Sequence, residues 1–179
     1  AGTPQAKVAA TTYDSLNRPL TQRDQIPVIP ATTPPTFTTL STTTTVYDKL
    51  GRATSVSNGL NQVTNIVYTR NTTNKTETTV VTNPAGQATT TVTNARGETT
   101  STKNANNETT TYNYDVLGRQ TSYIDPKAAT FAFQYDLLGR RTRRTEPDAT
   151  YQSYTYDLVG NLIQHRKADG SFEIGRAHV

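Results

Sequence analysis

One six-residue box constrains the fold more than any other feature of the chain, because it returns at a fixed interval. YDVLGR (residues 114–119), YDLLGR (135–140) and YDLVGN (156–161) place Asp115, Asp136 and Asp157 successively 21 residues apart. Aligning every segment on the acid or amide that opens such a unit extends the series. The openers Asn83, Asn94, Asn104, Asp115, Asp125, Asp136, Glu146 and Asp157 are alternately 11 and 10 residues apart. The long period is therefore two half-repeats, each a strand followed by a turn. Upstream, Asp48 and Asn58 keep the spacing, Asn71 continues it more loosely, and Asp14 and Asp24 begin it; KADGS (167–171) falls at the next expected turn. Self-similarity at a fixed period is the mark of a repeat architecture, in which each unit is completed by its neighbours.

Each unit predicts a chain reversal. The Asp or Asn side chain accepts from backbone N–H groups further along, as in an Asx turn. A glycine three residues later supplies the left-handed conformation of a type I turn closed by a bulge, a common hairpin connection. The full boxes are Tyr47, Asp48, Gly51 and Arg52; Tyr114, Asp115, Gly118 and Arg119; Tyr135, Asp136, Gly139 and Arg140. Tyr156, Asp157 and Gly160 form a variant ending in Asn, and Tyr13 and Asp14 open the earliest one. Asn17, Asn61, Asn74 and Asn107 stand in the glycine slot elsewhere, and Asn tolerates that conformation best among other residues. Ala128 and Ala149 occupy it after Asp125-Pro126 and Glu146-Pro147, so those two turns are expected to differ.

Between turns lie segments of strand length. TFAFQY (130–135) alternates, which puts Phe131, Phe133 and Tyr135 on one face. Shifting by one period generates the columns Tyr112/Phe133/Tyr154 and Tyr114/Tyr135/Tyr156, two aromatic ladders. The intervening strand 141–145 is polar on both faces. No 3.6-residue apolar stripe suggests a helix.

Composition agrees. Threonine makes up about a fifth of the chain, tyrosine is abundant, and apolar residues reach only 32%. That supply is thin for a compact core, yet rich in residues that suit strands. The absence of cysteine excludes a disulfide framework and thiol chemistry. No apolar run approaches the length of a membrane-spanning helix.

Four segments follow. Residues 1–25 hold the first repeat, and 26–45 (IPVIPATTPPTFTTLSTTTT) read as a Pro/Thr-rich insertion or loop, its prolines arguing against a central strand. Residues 46–172 are contiguous repeats. EIGRAHV (173–179) breaks the pattern and looks like the in-frame translation of a sequencing-adapter oligonucleotide, so it is read as a non-native tail.

The boxes YDSLNR, YDKLGR, YDVLGR, YDLLGR and YDLVGN, with the weaker turns NPAGQ, NARGE and NANNE, resemble the YD repeats of the rearrangement-hotspot (Rhs) family. That family includes bacterial polymorphic toxins, the C components of Tc toxins, and animal teneurins. The resemblance implies an all-β array of stacked antiparallel hairpins, part of a ribbon that spirals into a hollow shell. In bacterial members the shell encloses a C-terminal toxin domain and helps deliver it, which implies a secreted or cell-surface bacterial protein. Its partners would be the remaining repeats of the same shell and the enclosed toxin. No DPxGL boundary of the kind that closes such a core is present, so the chain reads as shell wall.

The residues also admit chemical readings. One carboxylate per turn, often replaced by Asn, argues for capping rather than a calcium ladder or acid–base catalysis. Tyr112, Phe133 and Tyr154 are the candidates for contact with cargo or with a carbohydrate, the alternative being a surface module that binds sugar or a partner protein through its tyrosine columns. The arginines of RRTRR (140–144) alternate faces in a strand, which argues against a nucleic-acid stripe and for a solvated surface or a contact to acidic cargo. His165 has no second ligand nearby, so no metal or cofactor is expected. No nucleophile–base arrangement or phosphate loop is found, and no enzyme is expected.

Overall fold

The computed structural model describes residues 7–27 and 37–174. Every regular element is a strand: β1 Val8–Tyr13, β2 Pro19–Pro27, β3 Phe37–Tyr47, β4 Ala53–Ser57, β5 Val63–Asn71, β6 Thr76–Thr82, β7 Ala88–Thr93 and β8 Thr99–Lys103. The second half follows with β9 Thr109–Tyr114, β10 Gln120–Ile124, β11 Thr130–Tyr135, β12 Arg141–Thr145, β13 Tyr151–Tyr156, β14 Leu162–Arg166 and β15 Phe172–Ile174. Within each compact unit sheet order is chain order, each strand beside its sequence neighbours. This is the stacked-hairpin array that the periodic turns predict.

Two compact units are formed, Ala1–Thr69 with Thr78–Thr89, and Arg70–Glu77 with Thr90–Val179. In the first, β1 through β5 pair antiparallel in succession. In the second, the same succession runs from β7 to β15. Among the described residues none is buried, apolar or polar. A single sheet layer has no second layer to press against, so its stability comes from ladder hydrogen bonds and cross-strand side-chain pairs instead.

Apart from the looser turn after Asn71, the turns share one backbone geometry. In Asp136–Arg140 the Asp136 N–H donates to the Arg140 carbonyl at 2.9 Å, and the Gly139 N–H donates back to the Asp136 carbonyl at 3.0 Å. Asp136 Oδ1 accepts from the Leu138 and Arg140 N–H groups at 3.0 and 2.9 Å. Gly139 has φ of 81°. A register shift follows in the strand pair, where the bulge absorbs the extra residue.

Several expectations change. Ala128 and Ala149 take φ of 62° and 66° with the same backbone bonds as the glycine turns, so those turns keep the common backbone geometry. The ladder on either side imposes the reversal and the alanine bears the strain. In the looser turn after Asn71 the left-handed residue is Lys75, φ 54°, rather than Asn74, because the longer loop moves the bend by one position. Asp24 is not at a reversal: it lies within β2 opposite Ser41, beside a register shift. The Pro/Thr-rich stretch is shorter than 26–45, since β2 runs to Pro27 and β3 begins at Phe37. The threonines of β3 pair with both β2 and β4, as β-branched residues on a pleated surface do. Its prolines at 30, 34 and 35 lie outside the described residues. Glu173 and Ile174, assigned to the tail, belong to β15; residues 175–179 lie outside the described residues.

Candidate functional site: an arginine latch between repeats

The box residues form a chain of contacts from one repeat to the next. Asp115 Oδ1 caps its own turn through the Leu117 and Arg119 N–H groups, both at 2.9 Å. Its other oxygen accepts from Arg119 Nε at 2.7 Å. Held there, Arg119 sends Nη1 to the Asp136 carbonyl of the next box at 2.9 Å. Its guanidinium lies over the Tyr135 ring, 5.1 Å from the centroid. Tyr135 closes the circuit by donating its hydroxyl to the Gln120 carbonyl, next to Arg119, at 2.8 Å.

The same circuit repeats. Arg140 pairs with Asp136 at 2.6 Å, donates to the Asp157 carbonyl at 3.0 Å and covers Tyr156 at 4.8 Å. The Tyr156 hydroxyl donates to the Arg141 carbonyl. In the first unit Arg18 pairs with Asp14, reaches the Asp48 carbonyl at 3.3 Å and covers Tyr47, whose hydroxyl returns to the Pro19 carbonyl. Arg52 pairs with Asp48 and covers Tyr68 at 4.0 Å, and Tyr68 returns to the Ala53 carbonyl. Planarity suits arginine to this: one flat group stacks on a ring while its edges serve a carboxylate and a carbonyl.

The divergent turn at Asn94 reaches the same end by different chemistry. Arg96 sits two positions after the opener and pairs with Glu98 at 2.9 Å. It donates to the Val116 and Asp115 carbonyls, both at 3.1 Å. Asn161 replaces the arginine of the box at 157 and donates to Asp157 Oδ2 at 2.8 Å. Where the opener carries no capping oxygen of the right length, the acid moves. Asp148 accepts from the Thr150 N–H in the Glu146 turn, and Asp169 from the Ser171 N–H in the Lys167 turn.

The electrostatics follow from these bonds. The N–H of the residue four positions on holds the Asp14, Asp48 and Asp115 carboxyls below the usual carboxylate range, with the arginine side chain adding to it. At Asp136 partial desolvation pushes upward, but the Arg140 bonds outweigh it and the carboxyl is again lowered. Asp157 is lowered first by the Asn161 side chain. Partial burial raises the Tyr114 hydroxyl, with Glu98 and Tyr112 adding to the effect. Such carboxylates are occupied as caps and counter-ions. Among the described residues no cluster of His, Cys, Asp or Glu could hold a metal ion, and no helix is long and apolar enough to cross a membrane.

The aromatic columns are partly rearranged. Tyr123 of β10 enters the ladder, stacking on Phe131 at 4.5 Å and contacting Tyr112 and Phe133 at 6.4 and 6.1 Å. Phe133 does not continue to Tyr154, because Arg144 stands opposite it in β12. Tyr154 instead stacks on His165, centroids 4.8 Å apart. The arginines of strand 141–145 are not simply solvated. Arg141 lies over Phe133, Arg143 over Tyr151 at 3.9 Å, and Arg144 over Phe131 while pairing with Glu146. A cavity of about 330 Å³ opens between Tyr135, Gly139, Arg141, Tyr154 and Tyr156.

Tyr68, Tyr123, Arg18, Arg96 and Glu98 were not among the candidates read from the sequence. Tyr68 carried a signal, since it lies 21 residues after Tyr47. Its missing Asp hid it.

The RHS Repeat family matches residues 94–130 and 135–171, the two stretches that hold the tightest register. Those two stretches are similar to RHS repeats. Solved structures with similar backbones include the Photorhabdus luminescens Tc holotoxin pore carrying a TccC3 mutation, at TM-score 0.58 and 16% identity over 90% of this chain. A crystal structure of TcdB2-TccC3-Cdc42 is similar at TM-score 0.58 and 15% identity over 90% of the chain. One of TcdB2-TccC3-TEV is similar at 0.56 and 15% over 86%. At these identities the likeness is one of fold. The chain spans 9% of the length of each. Comparison with curated protein sequences gave no match.

Proposed function

We propose that this chain is a wall segment of a shell that, in its parent protein, encloses a C-terminal toxin domain and helps deliver it. Its role on this reading is architectural rather than catalytic, in a secreted or surface-exposed bacterial protein, and its partners are the other repeats of the shell and the enclosed domain. The observation that supports it is the latch. A sheet without a core is stitched from box to box by arginine, tyrosine and carbonyl, with the acids of the boxes at Asp115 and Asp136 holding the arginines in place. Such a wall suits enclosure because each hairpin covers the backbone groups of the next.

The test is limited proteolysis of the parent protein. The C-terminal domain should be resistant within the parent, and should become cleavable when Arg119 and Arg140 are both changed to leucine. A domain digested as quickly within the parent as alone would end the proposal.

A second reading has its own observation. The cavity between Tyr135, Tyr154, Tyr156 and Arg141 offers aromatic faces beside a cation, a combination that suits a sugar or a partner side chain. Glycan-array binding that disappears on changing Tyr154 to alanine would favour it over the wall.

A further inference from the structure

An arginine stacked on an aromatic ring is completed in this chain, time after time, by a carboxylate. Arg18, Arg52, Arg119 and Arg140 each lie over a tyrosine and pair with the acid of their own box. Arg144 lies over Phe131 and pairs with Glu146. At Tyr151 the group is incomplete. Two arginines share that ring, Arg143 at 3.9 Å and Arg166 at 5.5 Å from the centroid, and Arg166 Nη1 donates to the Tyr151 hydroxyl at 3.0 Å. Among the described residues neither is paired with an acid.

Register brings them together. Ser153 of β13 stands opposite Arg143 of β12 on one side and Arg166 of β14 on the other. The three side chains form a cross-strand row on one face, beside Tyr151, which lies two residues before Ser153. Flanking one ring, the two cations are within about 10 Å of each other, a Debye length at 0.1 M salt, so salt only partly screens their repulsion. Arg143 is half-buried, and its Nε is sealed from solvent without an acceptor. Arg144 Nε is sealed likewise, but has Glu146 Oε1 at 2.8 Å. The acids nearby are engaged elsewhere. Glu173 pairs with Lys167. Asp148 shares a cavity of about 230 Å³ with Tyr151 and Arg166, yet accepts only from Thr150, through its N–H and its hydroxyl.

We infer that Arg143, Ser153 and Arg166 bind carboxylates presented by an acidic segment of a partner protein. The five completed groups show which chemistry the vacant position takes. A guanidinium stacked on a ring keeps its edge donors in a plane, the fork that a carboxylate fits. The Ser153 hydroxyl makes no bond among the described residues and stands between the two cations as a further donor. A segment suits the site better than a free ion, because two cations on alternate strands engage two acids of one chain, and the first contact raises the effective concentration for the second. Arg141, over Phe133, also lacks an acid, but it is exposed and shares the face of Phe133, whereas Arg143 stands opposite Gln134 on the other face.

The test uses the full chain with a fluorescein-labelled hexaglutamate peptide, followed by fluorescence anisotropy. The peptide should bind, and more weakly as salt rises. Arg143→Gln and Arg166→Gln should each weaken binding about tenfold, the loss of one charged hydrogen bond, while Arg141→Gln leaves it unchanged. Absence of binding at low salt, an equal loss from Arg141→Gln, or displacement of the peptide by inorganic phosphate as readily as by unlabelled hexaglutamate would each overturn the inference. Should Arg143→Gln fail to fold, Arg166→Gln, at an exposed side chain, still decides. The readout is taken on this chain alone, so it is independent of whether the parent encloses a domain.

Discussion

Changing Arg119 to leucine isolates the latch, because it removes the guanidinium and leaves the cap of its turn intact. The Asp115 Oδ1 bonds to the Leu117 and Arg119 backbone survive any side chain at 119. Two interactions with the next box are lost. The charged bond to the Asp136 carbonyl at 2.9 Å sits at a side chain 28% exposed, which puts it near the low end of such bonds, about 1.5 kcal/mol. Stacking on Tyr135 contributes about 0.5 kcal/mol more at this exposure. The ion pair with Asp115 is open to solvent and adds little. The sum is about 2 kcal/mol, or roughly 30-fold in a local opening equilibrium. Hydrogen exchange at the Gly139 amide is the assay, since that amide shares the Asp136 carbonyl with Arg119. Exchange should accelerate by that factor in the variant, while the Gly86 amide of the Asn83 turn stays unchanged. Arg119→Lys should recover little, because a point charge cannot stack and bridge at once. Unchanged protection at Gly139, or full recovery with lysine, would refute the latch.

Three further outcomes are expected. Acid should weaken the Asp turns before the Asn83 turn: the folded carboxyls of Asp14, Asp48, Asp115 and Asp136 lie below their unfolded value of 3.8. Their contribution is thus complete above that pH and is lost as pH falls through the lower folded values, which amide exchange across a pH series would follow. Ala128→Gly and Ala149→Gly should each stabilise the chain by about 0.5–1 kcal/mol, since the left-handed penalty of alanine exceeds the extra chain entropy of glycine; denaturant midpoints would show it. Tyr156→Phe should cost about 1 kcal/mol through the lost bond to the Arg141 carbonyl at 2.9 Å, while Tyr13→Phe, at a ring 55% exposed, should stay within about 0.5 kcal/mol in the same measurement.

The reversals were legible in the sequence because their causes are local. An Asp or Asn side chain reaches its own backbone two and four residues on, and a glycine three residues on relieves the left-handed strain, so opener and spacing announce the hairpin. Alternation in 130–135 announced the aromatic face for the same reason. The limits of locality explain what was misread. Ala128 and Ala149 were judged by intrinsic preference, yet paired strands on both sides impose the turn. The threonines of β3 were judged by their proline neighbours, yet β2 and β4 supply their ladders.

Only the assembled sheet decided the partners. That Arg119 would find Tyr135 and the Asp136 carbonyl, that Arg96 would do this work from another position, and that Arg144 would interrupt the Phe133 column depend on which side chains face each other across strands. Register sets that, through bulges whose effect accumulates along the sheet. The arginines were written in the chain, but that Arg143 and Arg166 would flank Ser153 without an acid emerges only once β12, β13 and β14 are in register.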